Sequence, residues 1–241
     1  MSIKKVVFHN MQIGLEDIME QFDSSGKEMY EDIVEELMED ASDLINPVGF
    51  WTEVRISHVS DEQIKLDEEV FSSRYLAEHL IGVEKAYAFV VSIGDKLWQH
   101  RTTMSDALEQ YLFDAIMKTC LDRAFEETAR EIVLQLPDKT GYYMDNPGHL
   151  SDDGNGWKLE DQKRFLSLLA DQAQDSDASC LRIDHRDHFE TSYSLSGIIY
   201  AKGMEPANCT LCPKPECSHR KAEFDGKALI RRLHGSAEAD Q

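Results

Sequence analysis

The stretch from Ala86 to Pro137 limits the possible folds more than any other. AYAFVVSIGDKL is a short apolar, β-branched run that ends at Gly94, the pattern of a buried strand stopped by a turn. A polar loop, QHRTTMSD, follows, where Thr103 or Ser105 is placed to cap a helix. Leu108, Leu112, Ala115, Ile116, Ala124, Phe125, Ala129 and Ile132 then recur at helical spacing. One long helix is therefore predicted to press an apolar stripe on the strand's sheet, ending at Pro137. Lys118–Asp122, Arg123–Glu127 and Glu126–Arg130 stand four apart and support it from outside.

The rest of the chain arranges itself around that pair. Residues 1–14 read as a short strand or irregular lead-in. Leu15–Asn46 is helical in pattern, broken near Asp23-Ser-Ser-Gly26 and closed by Asn46-Pro47. Phe50, Thr52, Val54, Ile56 and His58 alternate with their neighbours, which predicts a strand, with a short return strand at Ile64–Leu66. Phe71–Ile81 is an amphipathic helix stopped by Gly82. After Pro137, DKTGYYMDNPGHLSDDGNGW reads as loop on composition, and Lys158–Ala170 returns to helical spacing. Ala178–Ile183 and Tyr193–Ala201 are strand candidates joined by the polar turn DHRDH. The expected fold class is α+β: a largely antiparallel, twisted sheet covered by helices, with one long helix after the central strand. Residues 1–204 are expected to form this domain, with its helical section at 15–46. Residues 205–241 form a Cys-rich segment with a basic and polar tail.

Charge narrows the function classes. The 241 residues carry a formal charge of −21, from 46 acidic against 25 basic side chains. Such a surface repels phosphate backbones, which argues against a nucleic-acid partner. Twelve acidic residues and one lysine, Lys27, fall between Leu15 and Ile45, a solvated helical face or a docking surface for a basic partner. No signal-like apolar stretch opens the sequence and none reaches the length of a membrane span, so a soluble, cytoplasmic protein with no membrane association is expected.

Three of the five cysteines crowd into the pattern Cys209-x2-Cys212-x4-Cys217-x-His219. Thiolates this close can converge on one soft metal, and the histidine completes four ligands. Zn²⁺ would close such a site structurally; an iron–sulfur cluster, with Cys180 or an external group as fourth ligand, is the redox alternative. Asp184-His185-Arg186-Asp187-His188 reads as a soluble hairpin turn and Cys120 as a small core residue. Ser92, Ser194 and Ser196 have no evident His/Asp partnership for nucleophilic chemistry.

Several blocks, taken in order, resemble one family. IVEELMEDASDLINPVGFWTEVRI, AYAFVVSIGDKL, SDALEQYLFDAIMKTCLDRAFEETAREI, NPGHLSDDGNGWKLEDQKRFLSLL, SYSLSGIIYAKG and CTLCPKPECSHR are similar to segments of stand-alone relatives of the vitamin B12-dependent methionine synthase activation domain. The resemblance covers roughly residues 30–220. It implies a domain that docks on a cobalamin-loaded (corrinoid) methyltransferase protein. Such a domain supports reductive reactivation and methylation, presents S-adenosylmethionine, and works with an electron donor.

The family's S-adenosylmethionine loop reads Arg, three residues, then Gly-Tyr. Gly148 matches the glycine, His149 replaces the tyrosine, and Met144 stands where the arginine belongs. The resemblance implies Tyr143, Pro147, Gly148 and His149 from the loop, and Ser194 and Ser196 from the later strand, as cofactor-binding residues. Tyr142 and Trp157 supply further aromatic faces. Whether the chain catalyses anything by itself stays open. The alternatives are a non-catalytic zinc-knuckle scaffold and an iron–sulfur electron-transfer protein feeding a corrinoid.

Overall fold

The alternation after Asn46 folds as a 13-residue strand, β2 (Val48–Ser60), whose first five positions are buried on both faces before the alternation sets in. The computed structural model describes residues 3–6, 8, 11–136, 141–145, 157–169, 183–186, 189, 193–202, 223 and 225–226. In chain order the elements are β1 (Lys4–Val6), α1 (Leu15–Met19), α2 (Ser24–Ala41), β2, β3 (Gln63–Leu66), β4 (Glu69–Ser72), α3 (Arg74–His79) and β5 (Lys85–Ser92). There follow α4 (Asp95–Thr103), α5 (Ala107–Val133), β6 (Gly141–Asp145), α6 (Gln162–Ser167) and β7 (Ser194–Lys202), with single 3-10 turns at Ser42–Leu44 and Leu159–Asp161.

The strands form one sheet in the order β4-β3-β2-β5-β7-β6, with β1 on β2. Every pairing whose register is described is antiparallel. The fold is α+β, with the 27-residue α5 following the buried strand β5. Among the described residues no helix is long and apolar enough to cross a membrane.

The chain divides into two compact units, and β2, β5 and β7 run through both. The first comprises Met1–Thr52, Phe89–Ile132 and Leu169–Ser196. Here α5 buries Leu112, Phe113, Ile116, Met117 and Cys120 against Ile18, Val34 and Leu37 of α1 and α2. Leu108, expected on that stripe, is 40% exposed. Two buried threonines of α5 satisfy themselves: Thr119 donates to the Ala115 carbonyl at 3.1 Å and Thr128 to that of Ala124 at 2.8 Å. The second unit comprises Glu53–Ala88, Val133–Leu168 and Gly197–Gln241, and its core includes Ile64, Leu66, Phe71, Tyr75, Trp157 and Phe165.

Several boundaries differ from the sequence reading for identifiable reasons. The polar stretch after Gly94 is helical as α4, and Thr103 belongs to it, its hydroxyl donating to the His100 carbonyl at 2.7 Å. Asp106 caps α5 instead of Thr103 or Ser105, since its Oδ1 accepts from the amides of Leu108 and Glu109 at 2.8 and 3.0 Å. Asp23 opens α2 by accepting from Gly26, so the break in the N-terminal helices falls before Asp23. Phe71 lies in β4, and α3 starts only after Ser73, whose Oγ accepts from the amide of Leu76. Arg123 reaches Asp17 at 2.9 Å and Glu126 at 3.3 Å, where Glu127 was the expected partner.

One glycine is required by geometry. Gly94 has φ of +84°, and a Cβ there would lie 2.5 Å from the carbonyl oxygen of Asn46. The turn from β5 into α4 therefore accepts no side chain.

Candidate functional site

The first half of the expected ligand loop is a strand. Tyr142 and Tyr143 are β-prone types, and Gly141–Asp145 pairs antiparallel with β7 despite its loop-like composition. Tyr143 stands opposite Tyr200, Met144 opposite Ile199 and Asp145 opposite Ile198. The residue in the arginine's place is thus held in a regular ladder and offers no guanidinium fork for a carboxylate. Pro147, Gly148 and His149 follow the strand's last pair and lie outside the described residues.

Trp157 is not an open aromatic face. It is fully buried, with ring centroids 5.7 Å from Phe71 and 5.4 Å from Phe165, both edge to face. One turn on, Asp161 is 6% exposed and takes Arg164 on Oδ1 at 3.0 Å. Arg164 also donates to the Val70 carbonyl at 2.8 Å and lies 3.9 Å from Glu69, which ties α6 to β4. Burial pushes the Asp161 carboxyl above its ordinary value, and the Arg164 charge only partly offsets this. Among the described residues, Asp161 Oδ2 and the Trp157 indole nitrogen have no hydrogen-bond partner. Asp161 was absent from the sequence reading. The signal that would have found it is the Asp161-x2-Arg164 spacing at the start of the helical run, which sets an acid and a base three residues apart.

At the other expected position, Ser194 and Ser196 open β7 two residues apart, on the same face of the strand. Ser196 is buried; Ser194 is half-buried, and its hydroxyl oxygen has no partner among the described residues. Just before them Tyr193 accepts the Ile93 amide on its carbonyl at 3.2 Å and packs 6.5 Å from Trp98. Burial, and then the Asp114 carboxylate, push its phenol up to about 12. Asp114 is itself gripped by Arg101 through two bonds of 2.9 and 3.0 Å. This Tyr193–Asp114–Arg101 group was also missed, its members being scattered over 93 positions of the sequence.

Cys209, Cys212, Cys217 and His219 lie outside the described residues, as does Cys180. Among the described residues no group of three or more His, Cys, Asp or Glu side chains is placed to hold a metal ion. Arg186 closes the expected polar turn by donating its amide to Asp184 at 2.7 Å. Cys120 is the expected core thiol: burial pushes it up to about 12, so it carries no thiolate reactivity near neutral pH.

No protein-family model and no curated protein matches the sequence. Among solved structures, thirteen chains match. One is the crystal structure of the MetH reactivation domain bound to AdoHcy, at 12% identity and a TM-score of 0.57, over 85% of this chain and 80% of that one. At that identity the likeness establishes a shared fold.

Proposed function

We propose that this protein plays a methionine-synthase-reactivation-like role, docking on a cobalamin-loaded methyltransferase protein and supporting the return of its cobalt to the active state. The likeness of fold to the MetH reactivation domain along most of the chain carries this reading. The charge of −21 also suits a protein partner better than a nucleic acid.

The residues present fit S-adenosylmethionine in part. Gly148 permits close backbone approach and His149 can stack or hydrogen-bond, but Met144 supplies no clamp for the amino-acid carboxylate. No methyl-transfer step is therefore assigned to this chain; docking is the role proposed. Cys209, Cys212, Cys217 and His219 are proposed as a metal site on ligand chemistry alone, with zinc and an iron–sulfur cluster distinguished by colour and metal content.

The test is affinity capture with the full-length protein from its own cell extract, reading bound corrinoid by absorbance. A cobalamin-carrying protein recovered in near-stoichiometric amount is expected. Recovery of no corrinoid under reducing and non-reducing conditions overturns the reading. Calorimetry with S-adenosylmethionine decides the ligand separately, and no heat at millimolar concentration removes it as a ligand.

A further inference from the structure

The first unit carries an aromatic pocket to which the reactivation-like reading assigns no part. Phe22 stands between Tyr30 of α2 and Tyr111 of α5, with centroid distances of 5.6 and 5.9 Å and both contacts edge to face. Gln21, Asp23, Gly26 and Met29 complete the lining of a cavity of about 280 Å³. That lies just below the roughly 300–1,000 Å³ of pockets for drug-sized ligands, so the space suits one inserted side chain.

Gly26 keeps the cradle open. A Cβ there would come within 3.2 Å of Phe22 and 3.3 Å of Tyr30. The mouth faces water and mixes ring and thioether surface with the polar ends of Gln21 and Asp23; Met29 is 67% and Tyr111 56% exposed.

The charge around the mouth selects the occupant. Helix α2 presents seven acidic residues between Glu28 and Asp40, with Lys27 its only base. Asp23 places a carboxylate in the pocket wall itself. Ring faces attract cations through their quadrupole, and a guanidinium also stacks on them. An acidic approach leading to an aromatic pocket is complementary to a basic side chain and hostile to phosphate or carboxylate.

We propose that the Phe22–Tyr30–Tyr111 pocket seats an arginine or lysine side chain from a basic segment of a partner protein, which the acidic face of α2 draws in. This interface is independent of corrin recognition and survives the failure of that reading.

The experiment uses the full-length protein and a fluorescein-labelled hexa-arginine peptide, read by anisotropy at about 150 mM salt. Saturable binding is expected, with hexacitrulline, which is isosteric and uncharged, failing to bind. Tyr111→Ala should weaken binding about fivefold or more, while Tyr111→Phe, which keeps the ring, should not. Asp23→Asn keeps the helix cap but removes the pocket charge, and should weaken binding by about threefold. Tetramethylammonium chloride should displace the peptide more strongly than sodium chloride at equal ionic strength. Circular dichroism of each variant confirms an intact fold. Equal affinities of wild type and Tyr111→Ala, or equal displacement by the two salts, would show diffuse attraction to acidic surface and overturn the pocket.

Discussion

Asp17 in the first unit and Asp161 in the second each face an arginine at about the same distance, 2.9 and 3.0 Å, and the protein treats them in opposite ways. Asp17 stands near the surface, where the hydrogen bond from Arg123 holds its carboxyl below the ordinary value. Asp161 is sealed between β4 and α6, and there burial outweighs Arg164 and pushes the carboxyl up. Distance to a counter-charge thus does not settle whether a pair favours the ionised form; access to water does. Buried polar atoms without a partner among the described residues occur in both units, Ser194 Oγ in the first and the Trp157 indole nitrogen and Asp161 Oδ2 in the second, so the two units differ in how they treat a carboxylate and not in having such atoms.

The comparison breaks most visibly at Trp157. Trp157→Ala removes the ring packed between Phe71 and Phe165 and should cost about 3–5 kcal/mol in urea unfolding. It should also let water reach Asp161 and bring its carboxyl back toward 3.8. A loss under about 1 kcal/mol would mean that the aromatic knot does not seal the second unit.

The pH dependence sharpens the contrast, because the two carboxylates carry opposite signs. A raised carboxyl is penalised when charged, so the Asp161 cost is present at neutral pH and fades as pH falls through its raised value toward 3.8. Wild type should therefore gain on Asp161→Asn as pH falls across that window. A lowered carboxyl contributes stability above its unfolded value and loses it below. Asp17→Asn should accordingly cost less than about 1 kcal/mol at neutral pH, and nothing once pH has fallen well below 3.8. Added salt should erase the Asp17 effect and spare that of Asp161. Parallel pH profiles for the two variants would end the distinction.

The smallest effect is expected at Cys120. The native protein should leave this thiol unmodified by iodoacetamide at pH 8, as read by peptide mapping, and expose it only on unfolding. Native labelling of Cys120 would show that the first unit's core opens readily.

What the sequence made legible was local periodicity. Helix α5 and strands β2, β3, β5 and β7 each announce themselves by a run of apolar positions at the right spacing. Strand β6 did not, because Gly141–Asp145 is strand only through its ladder with Ile198–Lys202, some 57 positions on, while its composition spells loop. Helix α4 was hidden for the opposite reason: Leu97 is its one buried residue, so it has almost no apolar stripe to read. Trp157 illustrates a third limit, since an aromatic beside a loop looks the same in sequence whether it faces a ligand or a core. The cavity around Phe22 was equally invisible, its third wall lying 89 positions away at Tyr111.

The contact between Gly94 and the Asn46 carbonyl has a mechanical consequence. Where two backbones touch with no side chain between them, there is no rotamer to yield and no methylene to compress. A change in the path of the chain at Asn46 is therefore met by the backbone of the β5–α4 turn itself, with nothing softer in between to absorb it.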